Sequence, residues 1–293
     1  FNTFGKMGID VSFVDATSVD AVAEAVTEST RLVFVETIAN PRTQIADLQQ
    51  IGEFCAQRGL VYVVDNTMTS PYLFQPKSVG ASLVINSLTK YVGGHGNVLG
   101  GAVTETGRYD WSSFPNIYPE YQRSEPAKWG ITQIRKKGLR DFGASLGPEA
   151  AHRVAIGAET LALRVQRQSE NAMAMCEFLH AHPKIKKVYY PGLAEHPQHA
   201  RAGELFRAFG GLLSFELQSH VDLWEFLNRL QVIVKSSNLG DNRTLAIPVA
   251  HTIYFEMGPE RRARMGIDDS LIRISSGIED NEDLLADISA AFD

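Results

Sequence analysis

Four short apolar runs dominate the first third of this chain: VSFVD (11–15), LVFVET (32–37), LVYVVDN (60–66) and SLVINS (82–87). They are β-branched, free of Gly and Pro, and too short for helices, so they read as strands. Between them lie helical patterns. SVDAVAEAVTEST (18–30) opens with Ser18 as an N-cap and places Val19, Val22 and Val26 on one face. DLQQIGEFCAQRG (47–59) ends at Gly59. Strand, helix, strand at this spacing requires crossover connections, and therefore a parallel sheet covered on both faces.

The rhythm then changes. The stretch 107–130, GRYDWSSFPNIYPEYQRSEPAKWG, is rich in aromatics and prolines and reads as a long irregular loop. It is expected either to cover an active site or to pack on a neighbouring subunit. A long amphipathic segment over 149–182 follows. KKVYYPG, GGLLSFEL, VIVKSS and LIRISSG then read as strands, with VDLWEFLNRL and NEDLLADISAAF as helices. The expected class is α/β, with a large mainly parallel domain over 1–147. A linking helix and a smaller C-terminal α/β domain occupy 148–293.

With 293 residues the chain has ample length for a core, and 44% apolar and 21% charged residues are globular values. A net charge of −6 without a basic run argues against nucleic acid as a partner. No apolar stretch approaches a membrane span. Cys55 and Cys176 read as reduced, buried thiols of a cytoplasmic protein. The chain opens on FNTFGKMGIDVSFVD, which reads like the interior of a domain, so further N-terminal sequence is expected to precede it.

Ligands of open parallel sheets sit beyond the carboxyl ends of the strands. Two strands here end in polar groups: VYVVD in Asp65, and LVINS in Ser87, Thr89 and Lys90 before a glycine-rich loop, GGHGNVLGG. Asp65 alone reads equally as a helix cap, and Ser-x-Thr-Lys alone arises by chance. Together they suit pyridoxal 5'-phosphate (PLP). Lys90 is the amine for its aldehyde, Asp65 the acid facing its pyridine nitrogen, and Ser87 and Thr89 are hydroxyls for its phosphate. The glycines let the backbone approach closely.

The stretch from FVETIANPRTQ through SLVINSLTKYVGGHGNVLGG resembles the PLP-binding core of the Cys/Met-metabolism family, and YPGL, ETLALRVQRQSENA and LIRISSGIED extend the likeness along the chain. The family comprises cystathionine γ-synthases and lyases, methionine γ-lyases and O-acylhomoserine sulfhydrylases. The resemblance implies the aspartate-aminotransferase-like fold and a homotetramer whose active sites are shared between subunits. It implies Lys90 as the Schiff-base lysine and Asp65 as the pyridinium partner, with Ser87 and Thr89 on the phosphate. Asn40 falls near the phenolic oxygen, and Arg273 on the substrate α-carboxylate. Read without the resemblance, Arg273 is an ordinary strand salt-bridge residue.

The departures bear on substrate. SNLGDNRTL (237–245) puts Asn238 where the lyases often carry serine, and Arg243 where many carry glutamate; both resemble the sulfhydrylase branch. The usual HPAS-x-TH becomes IPVAHTIYFEMG, which shifts the histidine to His251. The preferred reading is γ-replacement on an O-acylhomoserine with sulfide or cysteine, the substrate being a small amino acid. A lyase acting on cystathionine or methionine is the alternative, and a non-catalytic oligomerisation module a further one. His196 and His199 have a spacing open to a metal but read as a solvated helix start, so no metal is assigned. His95 reads as a site neighbour or a locally bonded loop residue.

Overall fold

The computed structural model describes residues 4–293; Phe1, Asn2 and Thr3, which open the first stretch, lie outside the described residues. The first sheet holds β1 (Leu32–Glu36), β2 (Val61–Asp65), β3 (Leu83–Ser87) and β4 (Gly101–Glu105), in that order. β1, β2 and β3 run parallel, and β4 pairs antiparallel to β3. Both faces of β2 are covered, which explains its unbroken apolar sequence. Tyr62 and Val64 join a core with Leu48, Ile51 and Cys55 of the helix Leu48–Arg58. Val61 and Val63, on the opposite face, pack with Leu83 against Trp111 and Ile117. That helix is held at both ends as its sequence implies: the Asp47 side chain accepts from Gln50 N, and Gly59 closes it at φ 63°.

The second sheet has the order β5 (Ile185–Tyr189), β6 (Leu212–Leu217), β9 (Leu271–Ser275), β8 (Leu245–Pro248), β7 (Val234–Lys235). Its pairs are antiparallel except β7 with β8. Side chains alternate along β9. Ile272 and Ile274 enter a core with Leu213, Phe215, Phe226 and Ile288, so Arg273 faces the other way. Arg273 lies between Ser214 of β6 and Ile247 of β8 in register. On that face the Ser214 hydroxyl donates 2.7 Å to the carbonyl of Pro41, in the loop after β1.

The two sheets are therefore not independent. Val165, Phe206, Leu212 and Leu239 share the core of the first sheet. Arg201 donates to Thr17 O, Ile45 O and the Asp47 carboxylate at 3.1, 3.0 and 2.9 Å. Buried Arg164 donates to Tyr91 O and to Gly157 O.

Several expectations need correction. VSFVD forms no strand: the run stays largely exposed, with Phe13 at 76%, so it lacks the burial that favours a strand. β4 and β8 were not expected, because glycine leads the one and proline ends the other. The amphipathic segment 149–182 is two helices, Pro148–Glu159 and Leu161–Ala181, parted at Thr160. The strand at VIVKSS shrinks to two residues. Trp111 and Ile117 of the aromatic loop pack with Val61, Val63 and Leu83 of the first sheet, and the indole N–H of Trp111 donates 2.7 Å to Glu105. Both cysteines are buried free thiols, and no helix among the described residues is long and apolar enough to cross a membrane.

Candidate active site

β3 runs directly into a single π-type turn, Leu88–Val92, which is broken at Lys90 (φ −94°, ψ −128°). The break leaves Lys90 half-buried at the carboxyl end of the parallel sheet, and its Nζ donates 2.6 Å to Asn238 Oδ1. Close approach of a second chain segment makes this placement possible. Gly240, at φ 71°, passes so near that a Cβ there would stand 2.6 Å from Tyr91 N and 3.0 Å from the carbonyl carbon of Lys90. Burial lowers the Lys90 pKa below that of a free lysine, and the neighbouring Arg273 lowers it further.

Arg273 is 2% exposed and none of its hydrogen bonds goes to a carboxylate. Nη1 donates 3.2 Å to Asn40 Oδ1, and Nη2 donates to Ser237 O and Asn238 O at 2.9 and 3.1 Å. Its Nε is buried and has no hydrogen-bond partner among the described residues. Desolvation brings its pKa down to about 10, opposed by the nearby Tyr91 and Tyr254. A buried guanidinium of this kind is costly unless an anion joins it, and its planar fork fits a carboxylate.

The remaining residues close a ring of contacts. Asp65 stands beside Glu36 in the β1–β2 register and accepts from Thr67 N at 2.9 Å. The Thr67 hydroxyl in turn accepts from Ser87 N at 2.8 Å. Glu36 takes a hydrogen bond from the backbone N–H of Asn40; burial first, then Asp65, raises its pKa above that of a free glutamate. Hydrogen bonds thus join Lys90, Asn238, Arg273 and Asn40, and Thr67 joins Asp65 to Ser87. Thr89 carries one qualification. Its hydroxyl donates to Gly100 O and accepts from Gly100 N, so donation to a phosphate requires release of that carbonyl.

An amine, a carboxylate, two hydroxyls and an unpaired guanidinium are the donor set that PLP and an amino acid require. A sequence profile of the family described as "Cys/Met metabolism PLP-dependent enzyme" matches residues 1–293. The chain belongs to that family. L-methionine gamma-lyase of Fusobacterium nucleatum subsp. polymorphum is 37% identical over 286 residues, covering 97% of this chain and 67% of that protein. O-acetyl-L-homoserine sulfhydrylase 1 of Thermus thermophilus is 37% identical over 305 residues, covering 99% and 72%. Among solved structures, a putative O-acetylhomoserine (thiol)-lyase of Campylobacter jejuni is similar, with TM-score 0.90, 32% identity, and 99% and 72% of the two chains covered. That structure contains a pyridoxyl-lysine monophosphate. This Cys/Met-metabolism protein is accordingly a PLP-dependent enzyme of sulfur amino acid metabolism with an α/β fold.

Some other residues of this enzyme depart from their sequence reading, whereas His95 keeps one of its two, the local loop bond. His251 is exposed beside the Trp224 ring and bonds Asp269 O, away from the site. Tyr254 of the same segment points inward instead, its hydroxyl donating 2.9 Å to Asn40 O. His95 bonds the carbonyl of Gly93 locally. His196 is buried rather than solvated, and burial brings its pKa down to about 4. Arg243 pairs with Asp241. Glu36, Thr67 and Tyr254 were missed. Glu36 carried a signal, since it ends its strand as Asp65 does; Tyr254 carried none.

Proposed function

We propose that this enzyme carries out γ-replacement on an O-acylhomoserine with sulfide or cysteine. The C–O bond to the acyl group breaks, a C–S bond forms at the same carbon, and the acyl group leaves as its carboxylic acid. When bound, PLP supplies an aldehyde for an amine and a ring that withdraws electrons from the substrate's α-carbon. Lys90 is the amine that attaches it. With substrate in place, Lys90 would be the base for the α-proton, and its lowered pKa enlarges the neutral fraction that a base needs. With PLP bound, Asp65 would keep the ring nitrogen protonated, Ser87 and Thr89 would hold the phosphate, and Asn40 would face the phenolic oxygen. Arg273 orients the substrate by its carboxylate. Residues 1–147 and 148–293 serve as the cofactor-binding part and the linking helix with its small domain. The working form in this reading is a cytoplasmic homotetramer with shared sites.

The contact that carries the substrate choice is Lys90 Nζ to Asn238 Oδ1 at 2.6 Å. It puts against the reactive amine the residue that replaces the serine common in lyases. The second reading, a lyase, is supported by the 37% identity to the methionine γ-lyase, which equals that to the sulfhydrylase. Product analysis separates them. Homocysteine or cystathionine from O-acetylhomoserine plus sulfide or cysteine supports replacement. 2-Oxobutyrate released from methionine or cystathionine without a thiol acceptor overturns it in favour of the lyase.

A further inference from the structure

Segment 249–258, between β8 and β9, folds back on itself. Tyr254 N bonds Val249 O at 3.2 Å, and the Thr252 hydroxyl bonds Pro248 O at 2.7 Å. Ile253 and Phe255 remain 41% and 66% exposed, whereas the Tyr254 side chain is turned inward. Its hydroxyl meets Asn40 O. Asn40 is thereby held at three corners. Its N–H goes to Glu36, its carbonyl takes the Tyr254 hydroxyl, and its side-chain oxygen takes Arg273 Nη1. Among the described residues Asn40 Oδ1 is the sole acceptor on the Nη1 arm of Arg273; the other two bonds are on Nη2. The plane of the guanidinium therefore depends on where the Asn40 amide points, and a bidentate carboxylate is sensitive to that plane.

We propose that Tyr254 is a positioning residue for carboxylate recognition: its hydroxyl fixes Asn40, and Asn40 fixes the fork of Arg273. Burial and Glu36 raise the Tyr254 pKa, so the hydroxyl stays a donor through neutral pH. The inference rests on the reading of Arg273 as the carboxylate clamp.

The test uses PLP-loaded wild type, Tyr254→Phe, Asn40→Ala and the double variant, each titrated with glycine and with ethylamine. Binding is read at equilibrium from the visible absorption of the cofactor, and PLP affinity and melting temperature are measured alongside. Tyr254→Phe is expected to weaken glycine about fivefold, the effect of one neutral hydrogen bond. Ethylamine and PLP affinity are expected to be unchanged, and the loss to vanish in the Asn40→Ala background. With substrate, KM rises and kcat holds. Equal glycine affinity in Tyr254→Phe and wild type overturns the proposal. So does an equal loss for ethylamine, or a full loss in the Asn40→Ala background. Should Tyr254→Phe not fold, 4-aminophenylalanine at position 254 retains a donor at the para position and is expected to bind glycine nearly as wild type; a fivefold loss there overturns the proposal. A wild type that does not prefer glycine to ethylamine sinks the clamp reading itself, a result distinct from failure of Tyr254 alone.

Discussion

At the residue scale, the site gathers charges whose burial is unfavourable until ligands arrive. Arg273→Leu removes the buried guanidinium beside Lys90 and Asn40. It is expected to lower kcat/KM by about 3 kcal/mol, roughly a hundredfold, because a buried charge-assisted pair is lost. Arg273→Lys should recover little, since an ammonium lacks the fork. Lys90→Ala should reduce kcat by at least about a hundredfold. Borohydride should then no longer fix the cofactor to the peptide containing residue 90. Glu36 yields a pH prediction. Its folded pKa is raised, so its stabilising form is the protonated one. That contribution is complete below the unfolded value of 4.5 and is lost as pH rises through the folded value. Glu36→Gln, which keeps an acceptor for the Asn40 N–H, should therefore stabilise the cofactor-free protein at pH 7 and give no gain at pH 4. Urea denaturation at the two pH values checks this, and an equal effect at both would refute it.

At the element scale, the turn after β3 is what holds Lys90 half-buried at the sheet's carboxyl end, and Gly240 is what lets the second part of the chain close on it. Gly240→Ala places a Cβ 2.6 Å from Tyr91 N at a φ of 71°. The left-handed conformation alone costs about 1–2 kcal/mol, and the clash adds to it. The variant should unfold at lower denaturant and bind PLP more weakly, because Lys90 must move with its backbone. Sequence legibility divides at the same level. β1, β2 and β3 were readable because burial on two faces demands apolar runs. β4 was not, because Gly101, Val103 and Thr104 lie exposed on an edge strand. β8 was hidden by Pro248. Lys90 and Asp65 were legible from their strand ends. The Asn40–Tyr254 bond joins residues 214 apart through an irregular loop, where periodicity says nothing.

At the scale of the whole molecule, the site is assembled from both sheets. Lys90, Asp65 and Ser87 come from the first, and Asn238 and Arg273 belong to the second. A ligand touching both sets stabilises both, provided the shared core and the ties of Arg164 and Arg201 keep them one cooperative unit. PLP at a hundredfold excess over its Kd should add about 2.7 kcal/mol, several degrees in a chain of this size. Two tryptophans report on the two halves. Trp111 packs against the first sheet, while Trp224 is half exposed on the helix Leu223–Arg229, whose Leu223, Phe226 and Leu227 pack against the second. In variants keeping one or the other as the only tryptophan, both melting curves should shift upward together on adding PLP. The shift should be smaller in both when Lys90 is alanine. A shift confined to Trp111 would mean that the cofactor is held by the first sheet alone. Arg273 and Asn238 would then engage only when substrate follows, and adding glycine to the PLP-loaded protein should move the Trp224 curve next.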